Sequence, residues 1–180
     1  MANVDHPHGL NPVMSRFHDT PRITEYYANV TTAIGRGDPV VLQADGRVNC
    51  LLTPAGSAQI IGVAAQYNAA LTTPSVKIGV YDDPDTIYEI QSDGTTDPGT
   101  VAAAIAHIGS VADLVTTDCT AASGQSNVEL DYSDIDQTTG AAVKIVGLYD
   151  IVGNDVTLAH ARYLVQFQKH AFKGSAITGI

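Results

Sequence analysis

The chain has no tryptophan, three phenylalanines and two cysteines, and its 9 basic residues face 19 acidic ones. Each shortage excludes something. Scarce Trp and Phe argue against an aromatic-lined small-molecule pocket, and the eight tyrosines suit a contact surface at least as well. Cys50 and Cys119 share no short motif, so a CxxC redox or zinc site is absent. They read as two reduced, buried thiols in a protein made in a cytosol. A formal charge of -10 repels phosphate backbones and excludes nonspecific nucleic-acid binding. No apolar run approaches the roughly 18 residues a membrane span needs. The opening MANVDHPHGLNP lacks the basic start and apolar stretch of a signal peptide. No nucleic-acid or membrane partner is expected.

What remains is 180 residues, 44% hydrophobic and 16% charged, enough for one domain with its own core and an appended arm. Residues 1–30 differ from the rest. They carry Pro7, Pro12 and Pro21, three of the six histidines, and no helical or alternating period. Each proline removes a backbone donor and biases its predecessor toward extended backbone. This segment reads as an arm across a surface of its own domain, a neighbouring subunit or another protein. Leu10, Val13, Met14, Phe17, Ile23, Tyr26 and Tyr27 argue against a frayed terminus, because they are costly to leave in water.

From Gly35 onward the pattern is strand and turn. Asp38-Pro39 opens a strand over 40–43, Asp45-Gly46 turns the chain, and 47–53 returns. A third strand covers 59–67, with Gly62 marking a bulge or a close approach. Residues 75–81 and 86–92 alternate around Asp82-Asp83-Pro84-Asp85, with Asp83 first and Pro84 second in a type I turn. This spacing predicts a hairpin. Asp97 as N-cap and Pro98 at the first helical position predict a helix carrying Val101, Ala104, Ile105 and Ile108 on one face. Gly109 suits its left-handed end, and a bent strand is the alternative. Strands at 127–131, 142–149 and 162–170 complete an all-β sandwich or barrel with one short helix. There is no βαβ rhythm.

Chemistry-bearing motifs are few. Asp82, Asp83 and Asp85 offer carboxylates to calcium, but no EF-hand spacing completes them, so they read as a solvated turn. His6-Pro7-His8 supplies two imidazoles where a metal site needs three or four ligands. His18, His107, His160 and His170 are scattered and read as surface or core residues. GxSxG and phosphate-loop patterns are absent, and Gly35-Arg36-Gly37 precedes a strand rather than a helix, so it is a turn. Arg-Gly-Asp at 36–38 is a chance tripeptide. No catalytic residue, cofactor or metal is expected.

The strings HPHGLNPV, GDPVVLQADGRVN, IIGVAAQY, VYDDPDTIYEIQSDG, VKIVGLYD and RYLVQFQKH follow one another in this order. That order resembles the head decoration, or capsid cement, proteins of tailed bacteriophages, over about residues 6–170. The most specific piece is IGVYDDPDTIYEIQSDG at 78–94. The resemblance implies a non-enzymatic β-rich protein on the outer surface of an icosahedral head, made in the bacterial cytoplasm and commonly trimeric. Its partners would be the major capsid protein and sister copies. Residues 1–30 would be the capsid-binding arm and 31–180 the decoration domain. The contacts expected are Leu10, Pro12, Val13, Met14, Phe17, Ile23, Tyr26 and Tyr27. The alternatives are another virion part, such as a tail tube, head-fibre base or receptor-binding piece, and a carbohydrate-binding or hydrolase β domain.

Overall fold

Strand alternation lays down two antiparallel five-stranded sheets and a two-stranded one. The computed structural model describes residues 2–16, 20–29, 31–51, 59–70, 76–94, 98–136 and 141–173. Phe17, His18 and Asp97 lie outside them. The first sheet runs β1 (Asn11–Ser15), β7 (Thr86–Gln91), β12 (Arg162–Phe167), β11 (Val143–Leu148), β8 (Val111–Ala112). The second runs β2 (Ile23–Tyr27), β6 (Lys77–Tyr81), β5 (Ile60–Ala64), β3 (Pro39–Leu42), β4 (Val48–Cys50). The small sheet pairs β9 (Leu114–Val115) with β10 (Glu129–Leu130). The fold is mainly β and sandwich-like, with one short helix, as the sequence predicts.

The core has two parts. Tyr88, Ile90, Val143, Ile145, Tyr163, Val165 and Phe167 of the first sheet pack with Leu10, Ile60 and Val63. Val40, Val48, Ile61, Ala64, Ile78 and Val80 form a second cluster. β5 serves both, since Ile60 and Val63 join the larger cluster while Ile61 and Ala64 join the smaller. A strand buried on both faces reads as a continuous apolar run, which explains IIGVA. Gly62, at φ +153°, lets the Tyr81 carbonyl lie where a side chain would stand, so the expected close approach is there. The second sheet curls until Ala28, just past β2, bridges Val48 of β4.

The predicted hairpin around Asp83-Pro84 does not form. The turn does, with Thr86 N–H donating to the Asp83 carbonyl at 3.1 Å. Its two strands enter different sheets, β6 the second and β7 the first. The first segment supplies the partners instead. β1 pairs with β7, from Asn11 opposite Glu89 to Ser15 opposite Thr86. β2 pairs with β6, from Ile23 opposite Tyr81 to Tyr27 opposite Lys77. Arg16 N–H donates to the Asp85 carbonyl between them. β1 and β2 thus line opposite ends of the bent segment 77–91, one in each sheet. Of the three surfaces open to the first segment, it lies on its own domain. The absence of alternation expected there does not hold for Ile23–Tyr27, whose side chains are alternately exposed and half-buried.

The helix α1 (Val101–Ala106) forms, but Thr100 caps it, its hydroxyl accepting from Ala103 N–H at 3.2 Å. Pro98 precedes the helix rather than opening it. Gly109 is left-handed as expected, at φ +97°, and donates to the Ile145 carbonyl. Only Ala104 of the helix is buried; Val101 and Ile105 are each 53% exposed, and Ile108 beyond the helix is 46% exposed.

Candidate functional site

Tyr88 and Ile90 of β7 point into the core, so Glu89 and Gln91 point out of the other face. Two polar side chains on a central strand need partners. Residues 3–10 provide them as a strap. His8 Nε2 meets Glu89 Oε1 at 2.8 Å, and Asn11 Nδ2 donates to the same oxygen at 3.0 Å. His8 Nδ1 lies 2.8 Å from the His6 carbonyl, so both ring nitrogens are engaged. The His6 amide donates to Gln91 Oε1, and Asn3 is tied to Asp155 and Ala159. Gly9, at φ +70°, turns the strap so that Leu10 N–H donates to the Gly37 carbonyl.

The pair is tuned by its surroundings. The hydrogen bond to Glu89 raises the His8 pKa against the opposing effect of burial. For Glu89 burial pushes upward, but the bonds from His8 and Asn11 and the charges of His8 and Arg162 outweigh it and hold the carboxyl low. Glu89 Oε2 is buried and has no hydrogen-bond partner; Arg162 Nη1 is 3.9 Å away. Beside it opens a cleft of about 400 Å³, walled by Arg36, Tyr81, Pro12 and Arg162 among others.

Next to the cleft, Asp5, Glu129 and His160 bring one ligand atom each within 4.8 Å of one another. The Gln91 amide nitrogen contacts all three, at 3.2, 3.3 and 3.4 Å. Burial, then Asp5 and Asp93, raise the Glu129 pKa. The sequence reading missed this group, because its members come from four distant segments. His160, one of the scattered histidines, is left-handed at φ +57°, which no sequence pattern announces.

The expected contact residues divide. Leu10 is 1% exposed and belongs to the main core, so its place among surface contacts is corrected. Pro12, Val13 and Met14 are half-buried on β1, and Tyr26 is half-buried on β2. Ile23 and Tyr27 are 53% and 50% exposed.

The acidic turn is only partly solvated. Asp82 is buried, paired with Arg22 Nε at 3.0 Å, and accepts from the Tyr26 hydroxyl at 2.8 Å. Burial and that bond push the Tyr26 pKa up to about 12. Asp83 Oδ1 accepts from Asp85 N–H, and Asp85 meets Gln166 and Lys173. These carboxylates are tied into the corner. Arg36 and Asp38 are parted too, Arg36 exposed and Asp38 3% exposed, so the tripeptide is no free loop. Both cysteines are free; Cys50 is buried and Cys119 half-buried. Burial pushes the Cys50 thiol up to about 12, so it is inert near neutrality.

Comparison with family models, with curated proteins and with solved structures returned no match.

Proposed function

We propose that the chain is a capsid decoration protein, a non-enzymatic cement on the outer surface of a phage head, acting as a homotrimer. One observation carries the physical side of this reading. A domain of net charge -10 leaves Val101 and Ile105 of α1, and Ile108 just beyond it, exposed. Large apolar side chains grouped at a surface favour a protein partner. Ile23 and Tyr27 on β2 are exposed too, on either side of Glu25. The order of sequence strings supplies the kind of partner, the major capsid protein. Acidity suits the outward face, because it keeps particles apart. Many identical weak contacts then add up to firm attachment.

The test is quantitative mass spectrometry of virions from the phage that encodes the chain, read against the major capsid protein. Copies in the hundreds, in an icosahedral ratio, support the reading. A handful of copies would move the protein to the tail or a unique vertex, and complete absence would sink a virion role. Deleting residues 1–25 is no clean test of attachment, since it removes Leu10 and β1 from the fold. Ile23→Asp with Tyr27→Asp, and Ile105→Asp, probe the two exposed groups separately.

A further inference from the structure

The cleft beside Glu89 has the chemistry of a ligand site. Glu89 is 7% exposed, and its Oε1 is fully engaged by His8 and Asn11. Glu89 lines the recess, and its Oε2, closed off from solvent in this structure, has no hydrogen-bond donor among the described residues. A buried carboxylate oxygen left in this state is destabilising until something donates to it. The negative charge is already balanced by His8 at 2.8 Å and Arg162 at 3.9 Å. The missing group is therefore a neutral O–H donor rather than another cation.

The rim asks for the opposite. Arg36 is an exposed guanidinium with no ion pair among the described residues, in a chain where acids are in large excess. Guanidinium forks match carboxylates and phosphates in two-point contact. Sulfate has no hydroxyl to donate to Glu89, and phosphate brings a P–OH only together with one or two further negative charges beside the carboxylate, so either suits the Arg36 wall better than the Glu89 wall. Tyr81 and Pro12 add apolar surface for the C–H face of a ring. The cleft, at about 400 Å³, is within the range of small-molecule sites.

We propose that this cleft binds a small hydroxylated carboxylate of the sugar-acid class, a ligand hydroxyl donating to Glu89 Oε2 and its carboxylate meeting Arg36. The aromatic scarcity of the chain fits such a ligand, which is held by polar contacts more than by stacking. This site is independent of capsid attachment.

The experiment is a titration of the full chain followed by amide chemical shifts, with D-glucuronate, D-glucose, acetate and inorganic phosphate as separate probes. D-glucuronate should give saturable shifts at the strap, the Gly35–Gly37 turn and β7. Glucose and acetate should each bind at least about tenfold more weakly. Arg36→Ala, an exposed and unpaired position, should reduce glucuronate to the level of glucose without changing the melting temperature. Glu89→Gln should lower affinity for both sugars; if it disturbs the strap, Arg36→Ala alone decides. Absence of saturable glucuronate binding, acetate or phosphate binding as tightly as glucuronate, or an Arg36→Ala variant that binds unchanged would each overturn the proposal.

Discussion

The first segment and the helix differ in what they bury. Residues 1–30, proline-rich and without helical period, read as an arm across the surface of this domain, of a neighbouring subunit or of another protein. In the structure they form a strap and two sheet strands, with Leu10 in the main core. The helix, with an apolar stripe at i, i+3, i+4 and i+7, has the pattern usual for a core-facing element. It buries Ala104 and leaves Val101 and Ile105 in solvent. Periodicity tells which residues share a face. It does not tell which face is inside.

The strongest way to break this comparison is Leu10→Ala. If the first segment is core, urea unfolding should show a loss of about 2–5 kcal/mol, the usual cost of emptying a buried leucine site. A loss near zero would return Leu10 to the role of a surface contact.

The strap comes next. His8→Ala removes a buried hydrogen bond to a charged group and should cost about 1.5–3 kcal/mol. The size should depend on pH. His8 has a raised folded pKa, so its contribution is complete below the usual 6.5 and fades as pH rises through the raised value. Glu89 has a lowered one, so its contribution is complete above the usual 4.5 and fades as pH falls through the lowered value. The difference between wild type and variant should peak between those two pH values. A flat difference across that window and on either side of it would sink the charged pairing.

His170 gives the opposite slope. Burial pulls its pKa down to about 4 from the usual 6.5. Its share of stability is present above 6.5 and is lost as pH falls through about 4. His170→Asn keeps an acceptor for the Phe172 amide, which now donates to His170 Nδ1 at 3.1 Å. The variant should lose less stability than wild type between pH 6.5 and 4, whatever its constant packing cost. Parallel acid-unfolding curves would contradict this.

The smallest expected effect sharpens the helix side. Ile105→Ser should change stability by within about 0.5 kcal/mol, as exposed positions do. The same change should lower occupancy on heads if the exposed helix residues are a contact. A large destabilisation would place Ile105 in a core.

Much of the β pattern was legible. The Asp45-Gly46 turn holds, with Gly46 N–H donating to the Gln43 carbonyl; β11 and β12 stand within the expected ranges, and β3 begins and ends one residue before its own. Local chemistry decides such features. The failed hairpin shows where it stops deciding. Alternation on both sides of Asp83-Pro84 fixes two strands and a turn, but each strand pairs with a segment roughly 50 to 78 residues earlier rather than with the other. Asp82, buried and bonded to the exposed Arg22 and to Tyr26, holds the corner, and nothing local says that these three meet. The site was hidden for the same reason. Glu89, His8, Asn11, Arg36 and Arg162 converge only because the strap crosses β7 and β12 lies next to it. Glu89 alone offered a hint, as a charged residue inside an otherwise well-made strand.

The bent segment also sets a timetable. The ribosome delivers residues 11–27 first, yet their strand partners at 77–91 follow much later, and Asn3 waits for Asp155, 152 positions on. At about 5–20 residues per second, the nascent strap stays unpartnered for several seconds or longer. The second sheet is complete by residue 81, but the first waits for β11 and β12, so its closure comes late and slowly, as long-range pairing dictates. A product that ends before residue 77 lacks the partners of both β1 and β2, and one that ends before residue 143 lacks β11 and β12 of the first sheet.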